Sequence, residues 1–222
     1  MVSPEDWECL RKDHTKAELD HITEFEKNGI KCDAIGWHDD VASGKMTKED
    51  GEKLKAARDI ESMIKKHGPD WRCGSWKADF KGYETITIDV FNIIAMQKEV
   101  NEGINTMFII GKLKAFQWKQ EYVDYPFTIY YHPEEYDSLE QKEERFSFFR
   151  KIFKNVNIEE AFWDTDKPHS NNELMFIDDM YEILKQNDPS FSIKNPIDII
   201  KNDTIVSTPQ LKDLFHNNKN IY

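Results

Sequence analysis

The spacing of apolar and polar residues divides the chain into a helical first part and a strand-rich middle part. Residues 47–68 carry apolar side chains on one helical face, with Thr47 placed to cap the first turn and Gly68 placed to end the helix. A similar apolar stripe follows a capping sequence at Ser3. This pattern predicts a helical segment over residues 1–68.

The middle of the chain is rich in β-branched and aromatic residues, which are separated by short turn sequences. Within it, Thr85–Val90 alternates apolar and polar side chains, as is typical of a strand with one buried face. Short turns join antiparallel strands, so the pattern predicts a four-stranded meander. The predicted strands are Trp71–Phe80, Tyr83–Met96, Thr106–Gln117 and Phe127–His132.

Helical spacing returns at Ser138–Phe153 and again from Leu174 onwards. We therefore predict an α+β fold, in which the helical segment 1–68 precedes an antiparallel β-meander or sandwich with flanking helices in residues 69–222. The pattern is equally consistent with a single domain overall. Trp118 is predicted to be a buried packing residue beneath the N-terminal helices.

Composition and charge narrow the class of protein. Aromatic residues make up 13% of the 222 residues, too many for a disordered chain, and no apolar run is long enough for a membrane span. The first residues lack the apolar core of a signal peptide and the three cysteines are widely spaced, so we expect a cytoplasmic protein with unpaired thiols. The formal net charge of −12 disfavours nucleic acid and favours a protein or small-molecule partner. The oligomeric state does not follow from the sequence.

Two groups of residues have the chemistry of metal-dependent hydrolysis. The adjacent His38 and Asp39 are typical of phosphohydrolases in which both side chains bind one metal, although a polar loop is the simpler interpretation. In the second group, Asp70 precedes one predicted strand, Asp89 lies within the next, and Lys98 follows. With His38 upstream, this order resembles that of the viral cap-snatching endonucleases. The resemblance implies Mn²⁺ or Mg²⁺ bound by His38, Asp70 and Asp89, with Lys98 completing the catalytic set.

Two features oppose this nuclease hypothesis. The net acidity of the chain disfavours an RNA substrate. In addition, Asp89 is not followed by the Asp-x-Lys or Glu-x-Lys pattern usual in such enzymes. Asp79 and Lys81 do form that pattern, but Asp79 lies only nine residues after Asp70, too close for an intervening strand.

A longer resemblance covers residues 50–175. It depends on the alternating segment Ile86–Phe91, on the aromatic-rich segment Phe108–Trp118 with Asp124 after it, and on Trp163 further along. These segments resemble the extracellular ligand-binding domain of Cys-loop (pentameric) ligand-gated channels. The resemblance implies a β-rich binding domain, here without the transmembrane helices of a pore.

The leading prediction is therefore a non-enzymatic binding module without a cofactor. Tyrosine combines a large contact area with a polar tip, so a tyrosine-rich region is the predicted ligand or partner face. Its residues are Tyr122, Tyr125, Tyr131, Tyr136 and Trp163. The metal-dependent nuclease is the first alternative, and an acidic inhibitor of a nucleic-acid enzyme, which depends on charge alone, is the second.

Overall fold

The computed structural model describes residues 16–82, 86–133, 136–162 and 173–203. Its helices are α1 (Lys16–Lys27), α2 (Trp37–Ala42), α3 (Lys48–Ala56), α4 (Ile60–Lys66), α5 (Val90–Asn101), α6 (Leu139–Ile152) and α7 (Ile177–Asn187), with a 3-10 turn at Gln120–Asp124 and further helix over 196–203. Its strands are β1 (Cys32–Ala34), β2 (Trp71–Cys73), β3 (Trp76–Lys81), β4 (Thr87–Asp89), β5 (Thr106–Ile110), β6 (Ala115–Trp118), β7 (Thr128–Tyr131), β8 (Asn157–Glu160) and β9 (Glu173–Phe176).

The first sheet has the strand order β1-β2-β3-β5-β6. Its neighbours are antiparallel except for β3 and β5, which run parallel because α5 carries the chain back to the same end of the sheet. One face of this sheet packs against α1 and the helix at 196–203, where Ile22, Phe25 and Ile197 are buried with the strand residues Trp71 and Ala78.

The second sheet has the strand order β4-β9-β7-β8, and only the β7–β8 pair is parallel. Helix α5 contributes to the large core between the sheets, because every residue from Val90 to Gln97 is buried. A helix that is apolar on nearly all sides belongs inside a core rather than at the surface. Trp118 joins this core with 1% of its surface exposed, and its Nε1 donates to Gln97 Oε1 at 2.8 Å.

The predicted α+β class is confirmed, and most strand pairs are antiparallel as expected. The individual strands differ from the prediction. The segments Trp71–Phe80 and Thr106–Gln117 are each mostly a hairpin of two short strands rather than one long strand. In the first, Cys73 pairs with Trp76, so the turn contains two residues and Gly74 adopts φ +62°, which suits glycine.

The predicted strand Tyr83–Met96 is wrong beyond Asp89. Strand β4 stops at Asp89, whose carboxylate caps α5 by accepting from the Phe91 backbone N–H at 2.7 Å. A continuous apolar run after a capping aspartate fits a buried helix as well as a strand. The helix predicted from Leu174 likewise begins only at Ile177, after strand β9.

Local capping predictions agree better with the structure. Thr47 caps α3 by accepting from the Asp50 backbone N–H at 3.1 Å, and Ser138 caps α6. The predicted cap at Ser3 lies outside the described residues.

The division into 1–68 and 69–222 remains a prediction, although β1, from the first part, pairs with β2 from the second. Among the described residues, no helix has the length and apolarity needed to span a membrane.

The burial predicted for Trp118 is confirmed. Its ring packs against Phe108, Tyr122 and Phe127, and its indole N–H bonds to α5. Of the helices in the predicted segment 1–68, α4 contributes Met63 to the same core, whereas α1 packs on the opposite face of the first sheet. Of the predicted unpaired thiols, Cys32 and Cys73 are free and buried, and Cys9 lies outside the described residues.

Candidate functional site

Two aspartates lie at the outer end of the β2–β3 hairpin. The outermost pair of its ladder is Trp71 with Ala78, and Asp70 and Asp79 are the residues one position beyond that pair, so continuing the register brings them opposite each other. Directly opposed residues in an antiparallel pair point to the same face, with Cβ atoms about 4.5–5.5 Å apart. Because Trp71 and Ala78 face the α1 side of the sheet, the two aspartates face the α4 and α5 side. The nine residues from Asp70 to Asp79 thus do contain a complete hairpin, and the spacing objection was wrong.

Asp79 belongs to a buried polar group at the end of β3. Only 2% of its surface is exposed, and the Lys81 ammonium lies 2.7 Å from Asp79 Oδ2. Lys81 also donates to Asn92 Oδ1 at 2.8 Å, and the Asn92 amide donates to the His67 carbonyl at 2.9 Å. Burial raises the pKa of the Asp79 carboxyl, while Lys81 acts in the opposite direction. Lys81 is therefore held in one place by a carboxylate and an amide.

A third carboxylate, that of Asp39, lies together with Asp70 beside Gly36, the residue before α2. A Cβ atom at Gly36 would lie 3.1 Å from Asp70 Oδ1 and 3.2 Å from Asp39 Oδ2. The backbone at Gly36 has φ −64° and ψ 160°, which any residue can adopt. The backbone conformation does not require glycine here. Glycine is explained instead by the lack of room for a side chain between the carboxylates of Asp70 and Asp39.

A cleft of about 620 Å³ opens beside these residues, between α2, α4, α5 and the β2–β3 hairpin. Its lining includes Gly36, which lies beside the Asp70 carboxylate, and Pro69, which precedes Asp70 in sequence. Basic residues outnumber acidic ones along its walls, in contrast to the net charge of −12 for the whole chain. The basic residues are Lys65, Lys66, Arg72, Lys77 and Lys98, and the acidic ones are Glu61 and Glu99.

The structure brings some of the predicted nuclease residues together and separates others. Lys98 lines the cleft, and Asp70 adjoins it, because Gly36 and Pro69, which lie beside Asp70, are among the lining residues. His38 is exposed and its ring lies against Trp37, with the ring centres 3.6 Å apart. Asp89 lies in the other sheet, where its Oδ1 is 3.8 Å from His67 Nδ1. Among the described residues, no three His, Cys, Asp or Glu side chains are grouped closely enough to hold a metal, so the set of His38, Asp70 and Asp89 is not assembled.

The predicted tyrosine-rich face is largely internal. Tyr122 is 1% exposed and its hydroxyl donates to Asp188 Oδ2 at 2.8 Å. Tyr131 is 8% exposed, and the Tyr136 hydroxyl donates to a buried carboxylate of Glu173. Tyr125 is partly buried. These rings pack against the core in this structure, and Trp163 lies outside the described residues.

Sequence reasoning recognised the Asp-x-Lys pattern of Asp79 and Lys81 but set it aside because of its spacing from Asp70, and it did not single out Asn92. The signal for the first two was present, because Gly74 lies midway between Asp70 and Asp79 and glycine favours a tight turn. Asn92 carried no such signal, since its position beside Lys81 depends on the packing of α5 against the sheet.

No family model, curated protein or solved structure matches this chain. Arguments about function therefore depend on the geometry of its own residues.

Proposed function

We propose that the protein is a divalent-metal-dependent phosphodiester hydrolase that acts on nucleic acid. The observation that carries the proposal is the position of Asp70 and Asp79 one residue beyond the outermost β2–β3 pair, with Lys81 beside Asp79 and a basic cleft whose lining residues Gly36 and Pro69 adjoin Asp70. Asp79 and Lys81 thereby replace Asp89 and His38 in the nuclease hypothesis, whereas Asp70 and Lys98 keep a place in it.

The donor set suits a hard cation. Asp70, Asp79 and Asp39 offer only carboxylate oxygens, which are the ligands of Mg²⁺ and Mn²⁺ rather than of softer metals. Mg²⁺ commonly takes one or two carboxylates, and substrate phosphates and water complete its coordination, so a closed cage of three protein ligands is not required. Asp70 and Asp79 are the proposed ligands, with Asp39 on the other side of Asp70. Such a metal, when bound, polarises the scissile phosphate and activates water.

Lys81 is the proposed stabiliser of negative charge on the phosphate. Its ammonium carries three N–H donors; in the structure it forms an ion pair with Asp79 and donates a hydrogen bond to Asn92 Oδ1. Donors that are fixed before the reaction stabilise developing charge without the cost of reorganisation. Only 15% of the Lys81 side chain is exposed, which keeps that charge poorly screened by water.

The net charge of −12 does not prevent nucleic acid from binding in the basic cleft. Binding depends on the local electrostatic potential, and a cleft lined by one sign of charge concentrates the opposite sign. Lys65, Arg72 and Lys98 are exposed on its walls. The acidic remainder of the surface repels phosphates, so binding is directed to the cleft instead of being spread over the protein.

Hydrolysis of fluorescently labelled oligonucleotides tests the proposal. The wild-type protein should cleave in Mg²⁺ or Mn²⁺ and stop in EDTA. Asp70→Asn and Lys81→Ala should lower the rate by about 100-fold or more, as expected when a charge-stabilising group is removed. Lys185→Glu, which alters an exposed lysine on α7, is the matched control and should keep the wild-type rate.

Full activity in Asp70→Asn would overturn the proposal, provided that circular dichroism shows the variants to be folded. A wild-type protein that hydrolyses no single-stranded or double-stranded substrate with either metal would also overturn it. That result would favour the non-enzymatic binding module instead.

A further inference from the structure

We infer that the substrate is a single strand of nucleic acid, which lies along the basic cleft with one base stacked on Trp37. The inference depends on the proposed function, because it specifies which form of nucleic acid reaches Asp70 and Asp79. It draws on the size of the cleft, the position of the Trp37 ring and the distribution of cations on the walls.

The size of the cleft favours one strand over two. Its volume of about 620 Å³ is that of a pocket for a small molecule, so it admits a few nucleotide units but not the body of a duplex. Helices α2, α4 and α5 all contribute to its walls. Asp79 is 2% exposed, so a phosphate that reaches it has to leave the surface of any double helix.

Trp37 is placed to stack on a base. It is the first residue of α2, it is partly exposed, and its ring lines both this cleft and a neighbouring hollow of about 330 Å³. The His38 ring packs against it, and a Cβ atom at Gly51 of α3 would lie 3.6 Å from Trp37 Cζ3. These contacts fix the ring while part of it still lines the cleft. Aromatic rings in positively charged grooves bind successive bases with little sequence preference.

The cations indicate how many phosphates are bound. Lys77 pairs with Glu99, and Lys66 donates to the Ala57 carbonyl, so both are already engaged. Lys65, Arg72 and Lys98 are exposed, and within the described part of the chain they make no ion pair. Three phosphate contacts on a single strand correspond to a slope of about −2 in log K against log salt concentration.

Fluorescence anisotropy tests this inference without requiring cleavage. The probes are 12-nucleotide single strands of mixed sequence, one of DNA and one of RNA, and a blunt duplex of the same length, all in EDTA. We expect the single strand to bind at least tenfold more tightly than the duplex, with a salt slope of about −2. Comparing the affinities of the DNA and RNA single strands identifies which sugar the cleft accepts.

Variants locate the binding surface. Trp37→Leu should weaken single-strand binding about tenfold, Trp37→Phe should restore most of it, and Lys98→Glu should both weaken binding and reduce the salt slope. Lys98 is exposed, so its substitution is not expected to disturb folding even if Trp37→Leu does. Lys185→Glu is again the charge-matched control.

Equal or tighter binding of the duplex would overturn the inference, and so would unchanged single-strand binding in both Lys98→Glu and a folded Trp37→Leu. Hydrolysis of single strand and duplex at equal rates would also overturn it and would leave the proposed function standing. Conversely, tight single-strand binding without hydrolysis in Mg²⁺ or Mn²⁺ would support this inference and overturn the proposed function.

Discussion

Substitution of Gly36 by alanine tests whether Asp70 binds the metal without removing any carboxylate. The added methyl group would lie 3.1 Å from Asp70 Oδ1 and 3.2 Å from Asp39 Oδ2, whereas ordinary contacts begin near 3.4 Å. One or both carboxylates must therefore shift by a few tenths of an ångström. The glycine backbone is already in a region that alanine adopts freely, so the perturbation is steric and local.

The effect on folding should be small. Alanine is a poorer N-cap than glycine, which costs up to about 1 kcal/mol, but it also restricts the unfolded chain, which stabilises by about 0.4–1 kcal/mol. These two contributions to the free energy of unfolding have opposite signs and similar size, so their sum is small. The effect on the metal should be larger, because disturbing the surroundings of a ligand lowers metal affinity by about 10–100-fold.

The assay is the initial rate of oligonucleotide cleavage as a function of Mg²⁺ concentration, with thermal unfolding measured alongside. We expect Gly36→Ala to need at least about tenfold more Mg²⁺ for its half-maximal rate while its unfolding free energy stays within about 1 kcal/mol of wild type. Gly68→Ala is the matched control, because its Cβ would meet only the Lys65 carbonyl at an ordinary 3.5 Å. Identical Mg²⁺ curves for wild type and Gly36→Ala would refute the assignment of Asp70 as a ligand.

Three further predictions concern stability. Trp118→Ala should lower the free energy of unfolding in urea by about 3–5 kcal/mol, because the ring is fully buried, and a smaller loss would contradict its place in the core. Glu173→Gln should cost about 3–5 kcal/mol by the same measurement, since Arg145 at 1% exposure loses its countercharge, and a neutral result would mean that the pair is not buried in solution. For Asp188, burial alone would raise the carboxyl pKa, but hydrogen bonds such as that from Lys119 outweigh burial and hold the pKa well below its usual range. Stability should therefore fall as pH drops below about 4, and Asp188→Asn should flatten that part of the pH profile of the melting temperature.

The features predicted correctly from sequence are those set by neighbouring residues. The cap at Thr47 satisfies the N–H of Asp50 three positions later, and the side chains that decide it lie within one helical turn. The helix predicted over Ser138–Phe153 is also set locally, because Ser138 caps the first turn of α6. The α+β class followed because several such local patterns and turns alternate along the chain.

The features predicted wrongly depend on residues far apart in sequence. Strand β3 pairs with β5, so the order of the first sheet is decided by contacts such as Asp79 with Phe108, which no local pattern reports. Asp89 could end a strand or cap a helix, and the burial of α5 between two sheets decides in favour of the cap. The predicted set of His38, Asp70 and Asp89 is not assembled for the same reason, because Asp89 lies in the other sheet and Asp79 lies on the strand beside β2.

Net charge alone is a weak guide to what a cleft binds, and the reason is physical. A total of −12 describes the field far from the protein, whereas a strand bound as we propose would experience charges within about 10 Å, the Debye length at moderate salt. The exposed charges that line the cleft are Lys65, Arg72 and Lys98, opposed by Glu61. An acidic exterior around a basic cleft limits how many phosphates the protein can neutralise, so the proposed binding should depend only weakly on salt and should favour short single strands.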